Sequence, residues 1–255
     1  MWEAEKVAEA RRLASAGHSA TAIGRSIGVP RATVGRWVHG CWEGRSGNDR
    51  GCWRCGEREP FPFPAVREWA YSYLLGQYLG DGCLTHHPKG VFRLQIASFA
   101  GHPRLIGETV AAASIVMPAS RASTYASTKC RLTTIGSYSR HWPCLFPQHG
   151  PGLKHKRRIE LSAWQREICD RFPDRLLRGL IHSDGCRSIN TIRHPQRTYR
   201  YPRYQFSNRS DDIRGIFCEY CDRIGVEWRV MNGWTISVAR RRSVEKLDRV
   251  IGSKR

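Results

Sequence analysis

Leu177-Arg178-Gly179-Leu180-Ile181-His182-Ser183-Asp184-Gly185 is the stretch from which the rest of the chain can be placed, and Leu74-Leu75-Gly76-Gln77-Tyr78-Leu79-Gly80-Asp81-Gly82 is a looser copy upstream. Each reads as the end of an apolar helix, the first beginning near Trp69 and the second after Pro173-Asp174. In both, a carboxylate falls in the last turn, and the glycine after it can turn left-handed and stop the helix. An aspartate at a helix C-terminus opposes the dipole and loses roughly 0.3–1 kcal/mol unless a cation offsets it. Its presence twice, in matching positions, makes the cation the purpose.

Small residues supply a second argument. Gly76 and Gly80 lie four apart on one helix face, as do Gly179 and Ser183. Small residues one turn apart let two helix backbones approach closely. Packing along those faces would bring Asp81 and Asp184 together at one end. Two adjacent carboxylates repel unless a cation neutralises them, and hard oxygen ligands suit magnesium. The plain alternative is a pair of buried helices that each end in a common Asp-Gly turn.

On these residues the chain resembles the LAGLIDADG family of homing endonucleases, in the single-chain form that carries both motifs. The second copy matches the signature closely; the first has Gln77-Tyr78-Leu79 where the signature has Leu-Ile-Asp. The resemblance covers about Arg67 to the C-terminus. It implies an α+β fold of two pseudo-symmetric αββαββα halves, whose antiparallel sheets form a saddle over double-stranded DNA, with the motif helices as the seam. It further implies that Asp81 and Asp184 hold Mg2+ for hydrolysis of one phosphodiester on each strand. By the same resemblance Gln95 and Gln205 order the attacking water, and Arg140 and Arg241 stabilise the transition state.

Composition points the same way. The formal net charge is +20, from 42 basic and 22 acidic residues, and the pI is about 10.1. Such an excess favours a polyanion, because neutralised phosphates release counterions. Seven of the basic residues are lysine and the other 35 arginine, a bias that a GC-rich genome would also produce. Hydrophobic residues make up 40% and charged residues 25%, the mix of a folded globular protein. No apolar run approaches the ~18 residues of a membrane span. The acidic start at Met1-Trp2-Glu3 is unlike a signal peptide. The ten cysteines show no disulfide frame. The expectation is a bacterial, cytoplasmic, nucleoid-associated monomer with reduced thiols.

Ahead of the motifs, residues 1–40 read as a helix-turn-helix. Glu3 to Ala16 carries Val7, Ala10 and Leu13 at helical spacing. Ser19 can cap a second helix to Ser26, and Gly28-Val29 turns into a third from Pro30 to Val38. Ile23, Ile27, Val29 and Val34 face the core, which leaves Arg31, Thr33 and Arg36 outward for the major groove. The arrangement is similar to that of resolvases and transposases; a three-helix bundle for protein contacts is the other reading. Residues 41–66 read as a linker. Within it Cys52-Trp53-Arg54-Cys55 is half of a zinc site, which Cys41 and His39 could extend, although the spacing matches no standard finger.

The halves then span 67–158 and 159–255. After the first motif come a strand at Val91 to Ser98, a helix at His102 to Val116 with Ile106, Val110 and Ala113 inward, and a strand at Lys129 to Ser137. After the second come a strand at Tyr204 to Ser207, a helix at Asp211 to Ile224, a strand at Trp234 to Val238 and a helix at Ser243 to Ile251. Leu94-Gln95-Ile96-Ala97-Ser98 aligns with Tyr204-Gln205-Phe206-Ser207-Asn208, so the chain is internally duplicated. Cys83 and Cys186 obey the duplication and read as packing under the site. The run Lys154-His155-Lys156-Arg157-Arg158 supplies Lys154, Lys156, Arg157 and Arg158 for a phosphate backbone, or else a solvated face. Three functions remain open: a metal-dependent DNA endonuclease, a transcriptional regulator that keeps the endonuclease fold only as a DNA-binding platform, and a recombinase-associated binding module with no catalytic role.

Overall fold

A computed structural model describes residues 4–38, 65–118, 120–128 and 130–252. The chain divides into two compact units, Met1–Glu59 and Pro60–Arg255.

The first unit holds α1 (Ala4–Ser15), α2 (Ala20–Ile27) and α3 (Arg31–Val38) around Val7, Ala10, Ile23, Val29, Val34 and Trp37. Ser19 caps α2 by accepting from the Ala22 amide at 3.3 Å, which satisfies one orphan donor of the first turn. Gly28 ends the helix at φ 67°. The turn into α3 is tight enough that a Cβ on Gly24 would lie 2.5 Å from the Val29 carbonyl oxygen. Arg11 Nε donates to the Trp37 carbonyl at 3.2 Å, closing α1 onto the end of α3.

The second unit repeats one seven-element order. The first pass is α4 (Ala65–Asp81), β1 (Gly82–His87), β2 (Val91–Phe99), α5 (Pro103–Val116), β3 (Ser123–Ala126), β4 (Leu132–Ser139) and α6 (Trp142–Leu145). After α7 (Ala163–Arg171) comes the second: α8 (Pro173–Asp184), β5 (Gly185–His194), β6 (Arg197–Ser207), α9 (Asp211–Arg223), β7 (Arg229–Asn232), β8 (Thr235–Val238) and α10 (Arg241–Ile251). The strand orders, β1-β2-β4-β3 and β5-β6-β8-β7, are identical, and the strands of both sheets pair antiparallel. This is the two-half α+β architecture that the motif resemblance implies.

The sequence reading missed β1, β3, β5 and β7. The first and third follow each motif without a loop; β3 and β7 are four-residue strands, too short to show alternation. In α5 the buried stripe is Leu105, Thr109, Ala112, Ala113 and Val116, while Ile106 and Val110 are only half-buried.

Tyr71, Tyr73, Leu74, Leu75, Tyr78 and Leu79 of α4 pack with Leu176, Leu177, Leu180 and Ile181 of α8 in the core. The Tyr78 ring stacks on Phe146 at 4.2 Å, and Phe206 stacks on Phe217 at 4.4 Å. Among the described residues, no helix is long and apolar enough to cross a membrane.

Candidate active site

Backbone contact between α4 and α8 sets the site. A Cβ on Gly76 would lie 2.5 Å from the Leu176 carbonyl oxygen and 2.8 Å from Gly179 Cα; one on Gly179 would collide with the Tyr73 carbonyl oxygen. One turn on, a Cβ on Gly80 would collide with Ser183 Oγ and lie 2.8 Å from Asp184 Oδ2. The four-residue spacing of small residues therefore does what it predicts. Asp184 comes to rest against the residue that precedes Asp81, and both carboxylates end their helices at the same end of the seam.

Gly82 and Gly185 do not turn left-handed, contrary to expectation. Gly185 is extended at φ −107°, ψ 164°, and Gly82 is not among the positive-φ glycines. Their requirement is space: a Cβ at Gly82 would lie 2.5 Å from Tyr78 Cα, and one at Gly185 2.7 Å from Ile181 Cα. Each chain thus passes from the aspartate straight into a strand.

That exit fixes the register of the next positions. Cys83 pairs with Gln95 across β1 and β2, and Cys186 pairs with Gln205 across β5 and β6. The glutamines also face Gly136 and Ser237 on the third strand of each sheet. Each accepts a hydroxyl at its Oε1, Gln95 from Thr85 at 3.1 Å and Gln205 from Ser188 at 3.5 Å. Arg93 and Arg203, two residues before each glutamine, occupy the same face. Cys83 and Cys186 are exposed on this face, a correction to the expectation that they pack beneath the site.

The basic run does not form one surface. Lys154 turns inward, and its Nζ donates to the carbonyls of Tyr78, Leu79 (3.1 Å) and Gly80 (3.1 Å) in the last turn of α4. Burial pulls its pKa down to about 8, against the opposing attraction of Asp184, Cys83 and Asp81. It is the cation that a helix C-terminus with two carboxylates calls for. Arg157 also folds back, with Nη1 on the Gly150 carbonyl at 2.7 Å and Nη2 on that of Gln148 at 2.9 Å. Lys156 is exposed, and Arg158 is exposed and paired with Glu160.

Arg140 and Arg241 follow the last strand of each half. Arg140 is exposed in the turn after β4, and Arg241 opens α10 and pairs with Glu245 at 2.8 Å. Asn208, which sequence reasoning passed over, donates from Nδ2 to Asp184 Oδ2 at 2.6 Å. Its alignment with Ser98 was visible in the duplication, but nothing in the sequence distinguished it as a partner for the motif. Asp184 is half-buried and Asp81 exposed, so the two carboxylates are inequivalent.

The donor set suits a hard divalent cation. Magnesium is commonly held by one or two carboxylates, with water and substrate phosphate completing its shell. Asp81 and Asp184 provide that pair, and among the described residues no group of three or more His, Cys, Asp or Glu could enclose a metal alone. The cysteines and histidine considered for zinc, Cys41, Cys52, Cys55 and His39, lie outside the described residues. In the first unit Arg31 is exposed and Thr33 half-buried; the Arg36 side chain is likewise outside the described set.

No protein-family model matches the sequence, and neither does any curated protein. Among solved structures the chain is similar to I-DmoI in complex with DNA and Mn, at 12% identity and a TM-score of 0.48 over 73% of this chain and 98% of that one. It is similar to the LAGLIDADG meganuclease I-AabMI bound to uncleaved DNA, at 13% identity and 0.46 over 71% and 82%. It is also similar to the N-terminal LAGLIDADG domain of DUF199/WhiA, at 14% identity and 0.43 over 74% and 85%. With TM-scores below 0.5, these likenesses add nothing to the element order, strand register and helix seam, on which the two-half fold stands.

Proposed function

We propose that the protein binds double-stranded DNA and hydrolyses phosphodiesters on both strands with a divalent cation, magnesium by expectation, in the manner of a LAGLIDADG homing endonuclease. One observation carries the reading: backbone contact at Gly76 and Gly179 brings Asp184 Oδ2 against Gly80, beside Asp81. Two carboxylates at two helix C-termini are costly, and a cation with phosphate is what they suit.

Asp81 and Asp184 would hold the ion, which when bound lowers the pKa of a water and offsets charge on the leaving oxygen. The chain's own groups do the rest. Gln95 and Gln205 present their amides on the sheet face that continues from each aspartate, where they can orient a water. Asn208 fixes the Asp184 carboxylate by donating to Oδ2. Lys154, rather than Arg140 or Arg241, supplies fixed positive charge beside both aspartates. Lys156 and Arg158 remain available to the phosphate backbone, and Arg31 and Thr33 of the helix-turn-helix to a second stretch of duplex. The excess charge of +20 draws the chain to DNA.

A second reading, a regulator that binds DNA without cutting it, is favoured by one feature. Lys154 already compensates the helix end and attracts both aspartates without a metal. Incubating the full chain with a random-sequence plasmid library, with and without magnesium or manganese, and sequencing any ends separates the two. Metal-dependent ends at one site support the enzyme. Tight binding to a site that is never cut, across both metals, supports the regulator.

A further inference from the structure

Gln95 and Gln205 hold matching places in the two sheets but are not held alike. Gln95 has one hydrogen bond among the described residues, from the Thr85 hydroxyl at 3.1 Å. Gln205 is gripped at both ends of its amide. Its Oε1 accepts from Ser188 at 3.5 Å and from the Cys186 thiol at 3.7 Å, and its Nε2 donates to Met231 Sδ at 3.2 Å.

Met231 reaches Gln205 from a bulge in β7, the edge strand of its sheet. Arg229 pairs with Ser237 and Val230 with Ile236, and the register then shifts so that Asn232 meets Thr235. Met231 is the extra residue. In the first half β3 and β4 stay in unbroken register from Ser123–Gly136 to Ala126–Thr133, so Met231 has no counterpart there. A bulge of this kind re-aims a side chain, and bulges are over-represented at sheet edges and beside active sites. The Met231 side chain is also open to solvent at 53% exposure, whereas Met117 is at 2%.

Resting on the cleavage reading above, we infer that Met231 is a positioning residue for Gln205, present in one half only, and that oxidising its thioether converts a double-strand cutter into a nicking enzyme. Hydrogen peroxide transfers one oxygen atom to Sδ; the thioether gives up two electrons to become the sulfoxide, and the peroxide leaves as water. Oxygen on the lone pair that faces the amide does not fit within the 3.2 Å between Sδ and Nε2. Oxygen on the other lone pair leaves the sulfur electron-poor and no longer an acceptor. In either epimer the Gln205 amide loses its present hold. A misplacement of about 1 Å in a group that orients a reactant costs about 10²-fold in rate. Gln95, held by Thr85, keeps its place.

The test is strand-resolved cleavage of a duplex recovered from the plasmid library, by the full chain before and after hydrogen peroxide. Dithiothreitol then returns sulfenic acids and disulfides to thiols, mass spectrometry locates the added oxygen, and a melt shows that the oxidised chain is folded. Cleavage of one strand should slow about 10²-fold while the other is unchanged, so that nicked product accumulates. The two methionine sulfoxide reductases together should restore linear product. Met231→Leu keeps the bulk but not the acceptor. It should cut the same strand about 5-fold more slowly, for the loss of one neutral hydrogen bond, and resist peroxide. Met231→Leu/Gln205→Ala should be no slower than Gln205→Ala, because nothing is left to position. An oxidised parent that cuts both strands at full rate or slows equally on both overturns the inference and leaves the cleavage reading standing. So does slowing by peroxide that persists in Met231→Leu, or a double variant slower than Gln205→Ala. A parent that cuts no duplex in magnesium or manganese overturns both.

Discussion

The two halves of the second unit share their element order, strand order and the register that pairs Gln95 with Cys83 and Gln205 with Cys186. They differ in what surrounds each aspartate. Asp81 is exposed at a helix end whose carbonyls are taken up by Lys154, while Asp184 is half-buried and held by Asn208. The difference shows that geometry at the seam is duplicated because the backbones touch there. The groups around the two acids are not duplicated: the Lys154 ammonium attracts both carboxylates, and the neutral Asn208 amide donates a hydrogen bond to Asp184.

The strongest way to break the comparison is to neutralise each motif acid in turn. Asp81→Asn and Asp184→Asn should each lower cleavage by about 10³-fold or more, on the order of 4 kcal/mol in the barrier. DNA binding should persist in both, or tighten, because a carboxylate facing phosphate repels it when no metal is bound. The readouts are strand-resolved cleavage of supercoiled plasmid and a gel shift in calcium. A variant that keeps full activity on both strands would remove its aspartate from the site.

Next in size is the seam itself. Gly179→Ala places a methyl where it collides with the Tyr73 carbonyl oxygen and lies 2.9 Å from Gly76 Cα. The helices must separate, at a cost of about 3 kcal/mol, the upper range for overpacking. The separation would also pull Asp184 from Asp81, so activity should fall more than stability explains. Urea unfolding and cleavage measured on the same preparation test this, and an unchanged midpoint would mean that the helices have room.

Much of this was legible from the sequence because it rests on short-range rules. Glycine spacing announced the close helix approach, and the duplication announced Gln95 and Gln205 as equivalents. Other features follow from the path of the chain through space. Lys154 sits in a run of five basic residues, and nothing local tells which of them will turn inward onto a helix that ended more than seventy residues earlier. Arg140 and Arg241 follow from family position alone, and both side chains are exposed, Arg140 in a turn and Arg241 in a surface ion pair with Glu245. Gly82 and Gly185 fit a left-handed stop by residue type alone, whereas the packing of Tyr78 and Ile181 against them explains them better. The β5–β6 ribbon was read only at its inner end, because alternation between buried and exposed positions disappears where both faces meet solvent.

Lys154 offers a smaller and pH-resolved contrast. Burial depresses its pKa to about 8, below the ordinary 10.5, so the native chain releases this proton before the unfolded chain does. Between those values the unfolded state binds more protons, and stability from this group rises with pH. Below about 8 both states hold the proton and the burial penalty is present in full. The parent should therefore gain stability relative to Lys154→Met as pH goes from 7.5 to 10. Urea unfolding of the pair at several pH values reads the difference directly, and parallel profiles would mean that the ammonium is solvated.

The smallest expected effect makes the halves more alike. Asn208→Ser installs the residue that the first half carries at the equivalent position, Ser98, and removes the 2.6 Å hydrogen bond to Asp184 Oδ2. A hydrogen bond to a carboxylate is worth about 1.5–3 kcal/mol when buried. Asp184 is only half-buried, so about 1 kcal/mol is the expected loss of stability. If that bond is what makes the two carboxylates inequivalent, any preference of the parent for nicking one strand first should narrow in the variant. Time courses that resolve nicked from linear plasmid measure this. A strand preference that stays the same while stability falls by the expected amount would trace the asymmetry to Lys154 instead.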